Sequence, residues 1–264
     1  MGHIRVGRLP KTRKWSQVIE LLNTRDSSPA DIAAATVKAT KEFLIEKSSD
    51  PSLVFSYWLL TQITSHSRTK DFDKKLKKLG LDMTQTNNAF DFIAYLADFT
   101  RAQIRLKPDA SFPISEFAQL ALREVFTETI GQRCRSLFGT TLEDIRLACR
   151  NYSSADRFAK LSRLFFSKVL NRCLQFFVSK ETANNIGRGR KFEDIFELSG
   201  FNIALKSYCF QSAKIIEKFA GGWYSKHVWL DKLSENDAKW FVLIAMDKLR
   251  TEVAREEQFK EDEN

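Results

Sequence analysis

Few side chains in this sequence could do acid–base, nucleophilic or metal chemistry: three histidines, His3, His66 and His227, and four cysteines at 134, 149, 173 and 209. A hydrolytic metal site would need most of its ligands from carboxylates. There is no glycine-rich phosphate loop, no His–Asp metal pair, no paired aspartates for magnesium on a helix, and no arginine followed closely by a histidine. No cofactor and no metal are expected. The cysteines are too far apart for a metal knuckle or a redox dithiol, and each sits in an apolar helical pattern. They read as buried thiols in a reducing, cytoplasmic compartment.

Two short matches to catalytic motifs lack their context. Pro108-Asp109 with Glu116 starts like a restriction-type nuclease site, but Phe117 and Ala118 stand where that chemistry places a lysine, and the strands that carry it are missing. Ser67-Arg68-Thr69-Lys70 has the spacing of a Ser-x-x-Lys acyl-transfer site, yet reads as an inter-helix turn with Thr69 as cap. His227 is the histidine best placed for chemistry. A general base there needs a partner that the sequence does not identify.

Binding chemistry is better represented. The net charge is +9, divided as +5 over residues 1–14, −4 over 252–264 and +8 over the remainder. Such a body attracts polyanions through its long-range field. Around the apolar stripe Phe72, Leu76 and Leu79, the residues Lys74, Lys75, Lys77 and Lys78 face solvent. On a long helix beginning at 154, Arg157, Lys160, Arg163, Lys168 and Arg172 fall within about half of the circumference at roughly 100° per residue, and Arg188, Arg190 and Lys191 in a Gly-Arg-Gly-Arg loop extend that face. For the lysines of 74–78 a solvated basic face is the favoured account, and for the face beginning at Arg157 a solvated face without a ligand serves equally well.

The segment Gly221-Gly222-Trp223-Tyr224-Ser225-Lys226-His227-Val228-Trp229 reads as an aromatic loop. Trp223, Tyr224, His227 and Trp229 either form a stacking or partner-binding platform or pack the last helix onto the one before it. An extended basic arm, residues 1–14, places Arg5 and Arg8 for a partner or for its own domain.

The elements that must carry these residues are helices. The apolar spacing is helical throughout, and helix starts are marked by side-chain caps followed by an acid three residues on: Ser28 with Asp31, Thr140 with Glu143, Ser153 with Asp156 and Ser234 with Asp237. Ser28-Pro29 and Asp50-Pro51 add proline at the first helical position. The pattern predicts an all-α, irregular bundle of about ten helices near 12–24, 28–47, 51–65, 69–79, 86–106, 113–137, 141–150, 154–182, 192–219 and 235–258, with a largely buried C-terminal helix. This is one helical domain over 15–258, with a candidate sub-boundary at 182–191 and an acidic tail at 259–264. The longest apolar run, Trp240 to Met246, is too short to span a bilayer, and no secretory signal follows the basic N-terminus.

The expected function is a non-catalytic helical subunit that binds nucleic acid or another polyanion. The alternative is a protein–protein adaptor in a bacterial multi-protein system of the antiviral-defence type, a context that no residue specifies. An enzyme built from dispersed carboxylates and His227 is the third reading.

Overall fold

The computed structural model describes residues 9, 12–83, 86, 88–131, 141–231 and 233–261. It is all-helical, with 79% helix, and no strand occurs among the described residues. The helices are α1 Arg13–Asn23, α2 Pro29–Ala39, α3 Lys41–Lys47, α4 Pro51–His66, α5 Phe72–Lys78, α6 Ala89–Arg105, α7 Ile114–Phe126, α8 Leu142–Arg150, α9 Ala155–Thr182, α10 Ile195–Ser212, α11 Lys214–Trp229 and α12 Glu235–Glu261. Among these described residues, no helix is long and apolar enough to cross a membrane.

The caps explain several of the boundaries. Ser28 and Asp31 form a reciprocal capping box at α2, and Asp50 accepts from the Ser52 N–H ahead of Pro51 at α4. Ser234 and Asp237 do the same at α12, each bonding the other's backbone N–H. Two expected caps move. Thr141 with Asp144 caps α8, while Thr140, expected as the cap with Glu143, lies outside the described residues; the Ser153 hydroxyl donates to the Arg150 carbonyl at the end of α8, and α9 begins at Ala155. The stretch expected as one helix over 28–47 breaks at Thr40, whose hydroxyl bonds back to the Thr36 carbonyl.

The packing centres on α4 and α9. Along α4, Leu53, Phe55, Tyr57, Leu60 and Ile63 are all buried on successive sides, so this helix has no solvent face of any width. The 28-residue α9 lies against α7, α10 and α11 and is enclosed for most of its length. On α12 the burial is one-sided: Phe241, Val242, Ala245 and Leu249 enter the core, while Trp240 is 62% exposed on the opposite face. Tyr57 stands at the junction. Its ring stacks on Phe241 at 4.9 Å and 7°, contacts Phe165, Phe166 and Trp223 within 6 Å, and its hydroxyl shares a hydrogen bond of 2.9 Å with Ser162.

The segment 221–229 is the main correction to the expected secondary structure: it is the C-terminal half of α11, with no loop. Gly221 serves close packing where a turn was expected. A Cβ built there would lie 2.7 Å from the Ala155 carbonyl oxygen of α9, so only glycine lets the two helices cross at this point. The 182–191 segment does bend, with positive φ at Gly187 and Gly189 and a single bridge between Ile186 and Phe192. It does not divide the core, since Val178 and Phe192 belong to the same buried cluster.

The two glycines of α11 should therefore respond oppositely in denaturant titrations. Gly221→Ala is expected to cost about 1–3 kcal/mol of stability through overpacking. Gly222→Ala, with nothing within 4 Å of the added methyl, should be neutral or stabilising by up to about 1 kcal/mol.

Candidate functional site

A cleft of about 770 Å³ opens where the C-terminal ends of α4 and α11 meet α5 and the N-terminus of α12. Local sequence builds each wall. After α4 ends at His66, the Ser67 hydroxyl donates to the Thr64 carbonyl and the Thr69 hydroxyl to the His66 carbonyl. Thr69 therefore closes α4 and does not cap α5. The Arg146 guanidinium holds this turn from outside, donating to the Ser67 carbonyl at 3.0 Å while Glu143 takes its other N–H groups. Ser67 itself is buried and bonded, which removes it as a nucleophile. On the opposite wall, Asp231 takes a positive φ of 50° to turn the chain after α11. The Leu233 carbonyl then accepts from Trp58 Nε1 at 3.0 Å and from the Gln62 amide, which pins the α11–α12 turn to α4.

Both described histidines line this cleft. His227 Nδ1 lies 2.7 Å from the Trp223 carbonyl, an acceptor, so Nδ1 carries the proton and Nε2 faces Asp237 at 3.9 Å. Asp237 is the partner that the sequence did not identify. Its cap to the Ser234 hydroxyl, more than the nearby imidazole, holds its carboxyl below the usual range. The Nε2–Oδ1 separation is beyond hydrogen-bond reach, so the pair is not an assembled catalytic dyad. Burial, reinforced by Lys75, pushes His66 down to about 4 and keeps it neutral at physiological pH. Charge inside the cleft is balanced: Arg68 and Lys75 face Asp231 and Asp237. No group of three His, Cys, Asp or Glu side chains among the described residues could hold a metal ion. The thiols offer no nucleophile either: Cys149, Cys173 and Cys209 are buried, and burial pushes Cys173 up to about 12. Cys134 lies outside the described residues.

The predicted basic residues separate into two groups. Lys74, Lys77 and Lys78 are exposed on α5, with Lys77 paired to Asp82 at 3.0 Å, and Lys75 is half-buried at the cleft. Arg157 and Lys160 are also exposed, on the first turns of α9, whose Phe158 stacks on Tyr224 at 3.8 Å. The others leave the surface. Arg163 is buried, donating to the Phe210 carbonyl and to Glu217; Lys168 is 4% exposed between Glu124 and Glu128; Arg172 is paired with Glu124. The expectation of a solvent-facing basic stripe along the whole helix is corrected accordingly. Lys191 is buried as well: its ammonium donates to the Thr24 and Ser27 carbonyls and caps the C-terminal end of α1. Arg188 and Arg190 remain exposed, but at the far end of α9, about 40 Å from Arg157 at 1.5 Å per residue. They do not continue a basic face from Arg157 and Lys160, because the cations between are buried or paired.

Of the aromatic segment, Tyr224 is buried and Trp223 packs against Tyr57 and Phe241, so neither is a free platform. Trp229, at the end of α11 beside the cleft-lining Val228, is 88% exposed. Arg5 and Arg8 lie outside the described residues.

The neutral His66 sets a pH dependence. Its folded pKa of about 4 lies below the ordinary 6.5, so between those values the unfolded chain takes up a proton that the folded chain refuses. Stability should fall as the pH drops through this window. Denaturant midpoints for His66→Gln are expected to fall less steeply over the same interval; an unchanged slope would show that His66 does not contribute to it.

No protein-family model matches the chain, and comparison with curated proteins and with solved structures yields no match.

Proposed function

We propose that this protein binds single-stranded nucleic acid, with phosphates along the outer face of α5 and a base or sugar in the cleft beside it. The observation that carries this reading is the division of charge at that end of the molecule. The cleft interior is polar and balanced, whereas at its lip Lys74 and Lys78 stand exposed on α5, with Lys70 exposed in the turn before it. A ligand that is anionic throughout suits the lip but gains nothing from the interior. A chain of phosphates carrying neutral, hydrogen-bonding heterocycles suits both. Trp229, exposed at the edge, supplies a flat face for stacking, and Arg157 and Lys160 add charge on the same end of α9. A duplex has its bases engaged and would have to open before using the cleft.

Fluorescence anisotropy with a short labelled single strand across a salt series tests this. Binding should weaken steeply with salt, and Lys74→Ala with Lys78→Ala should reduce the log–log salt slope by about 1.4, at roughly 0.7 for each lost phosphate contact on a single strand. Trp229→Ala should cost about 1–3 kcal/mol with little change in that slope. Arg188→Ala with Arg190→Ala, at the remote end, should have no effect. Affinity that ignores salt, or that is lost with the remote pair and kept with the α5 pair, would refute the assignment.

The adaptor reading also has an observation in its favour: apolar side chains stand exposed along α10, away from the cleft.

A further inference from the structure

Helix α10 is apolar on two opposite sides. Its inner side packs Phe201, Leu205 and Cys209 into the core. Its outer side exposes Phe196 at 85%, Ile203 at 68% and Phe210 at 37%, with Ile195 at 73% on the first turn. The first three are spaced seven residues apart, so they form one line along the helix. Isolated exposed apolar residues need no explanation, but a continuous row on a single helix marks an interaction surface.

We infer that this face is a homodimer interface, in which α10 packs antiparallel on α10 of a second copy of this chain, with the two-fold axis at Ile203. The exposed pattern of α10 is symmetric about that residue. An antiparallel pair centred on Ile203 sets Ile203 against its own copy, Phe196 against Phe210 and Ser199 against Ser207. Large side chains meet large ones, small ones meet small, and Gly200, with nothing within 4 Å of its Cβ position, lets the backbones approach. Charge selects the same arrangement. Glu197 and Lys206 are both exposed, and the antiparallel register brings Lys206 of the second copy opposite Gly200, within one turn of Glu197. A parallel pair would instead place Glu197 on Glu197 and Lys206 on Lys206.

The surroundings of the stripe are receptive. A groove of about 480 Å³ runs between α9 and α10, bounded by Leu164, Ile203 and Phe210. The Phe196 ring of the second copy, directed at Phe210 by the register, fits along it. Arg163 stacks on the inner side of the Phe210 ring at 3.8 Å and fixes that ring in place.

Light scattering and sedimentation of the full chain over a concentration series should give twice the chain mass, and Ile203→Asp, which sets two carboxylates face to face on the axis, should raise the dimer dissociation constant on the order of a hundredfold or more. Its circular dichroism should remain that of the wild type, which separates loss of association from loss of fold. Oxidation of Ile203→Cys should give a symmetric 203–203 disulfide, located by peptide mapping. Phe196→Cys alone should give none, and Phe196→Cys combined with Phe210→Cys should link chain to chain. Glu197→Lys should weaken association, and adding Lys206→Glu to the same chain should restore it. A chain that stays monomeric at every concentration, a dimer indifferent to Ile203→Asp, or a 196–196 link formed in preference to 203–203 would each overturn the inference.

Discussion

The stacking of Tyr57 on Phe241 is the contact on which the rest of the arrangement depends. It joins the middle of α4 to α12 at a point where α9, through Phe165 and Phe166, and α11, through Trp223, also converge. Four helices from distant parts of the chain thus share one set of rings. The Tyr57 hydroxyl would be costly to enclose there without its bond to Ser162, and burial drives its ionisation well above the ordinary tyrosine range. With the middle of α4 fixed in this way, its last turn is aimed between α5 and α12. The cleft is the space left where three helix ends diverge from that shared centre.

The buried charges follow from the same enclosure. Because α9 is covered on nearly every side, part of its polar face is interior too, and its cations require carboxylates from other helices. Glu124 and Glu128 serve Lys168, and Glu217 serves Arg163. Removing one member of such a set strands the others in low dielectric, so these lysines and arginines belong to the core as much as the phenylalanines do.

This explains how far the sequence could be read. Capping boxes are local, and Ser28 with Asp31 and Ser234 with Asp237 were visible because every participating atom lies within four residues. Helical periodicity was visible for the same reason. A helical wheel, however, assumes one interface per helix and cannot say that the polar side of α9 meets another helix's acids. Neither could it place Asp237 near His227, since a turn separates them, nor bring His66 into the same cleft from a helix far earlier in the chain. The pair Gly221-Gly222 is ambiguous in the sequence for a related reason: glycine at a turn and glycine at a close helix crossing look alike in one dimension, and the Ala155 carbonyl that decides between them is distant in sequence.

The balance of charge in the cleft has a kinetic consequence. Arg68 and Lys75 cancel Asp231 and Asp237 at a distance, which leaves the exposed Lys74 and Lys78 of α5 as the cations a phosphate would meet on the outer side of the cleft. A phosphate-bearing chain would be drawn in by those lysines alone, and dissolved ions would slow its arrival by screening them. Once a heterocycle has entered, short contacts with the histidines and amides would hold it, and those are largely indifferent to ionic strength. Capture and retention would then be governed by separate groups of atoms, so that one could vary while the other stayed fixed.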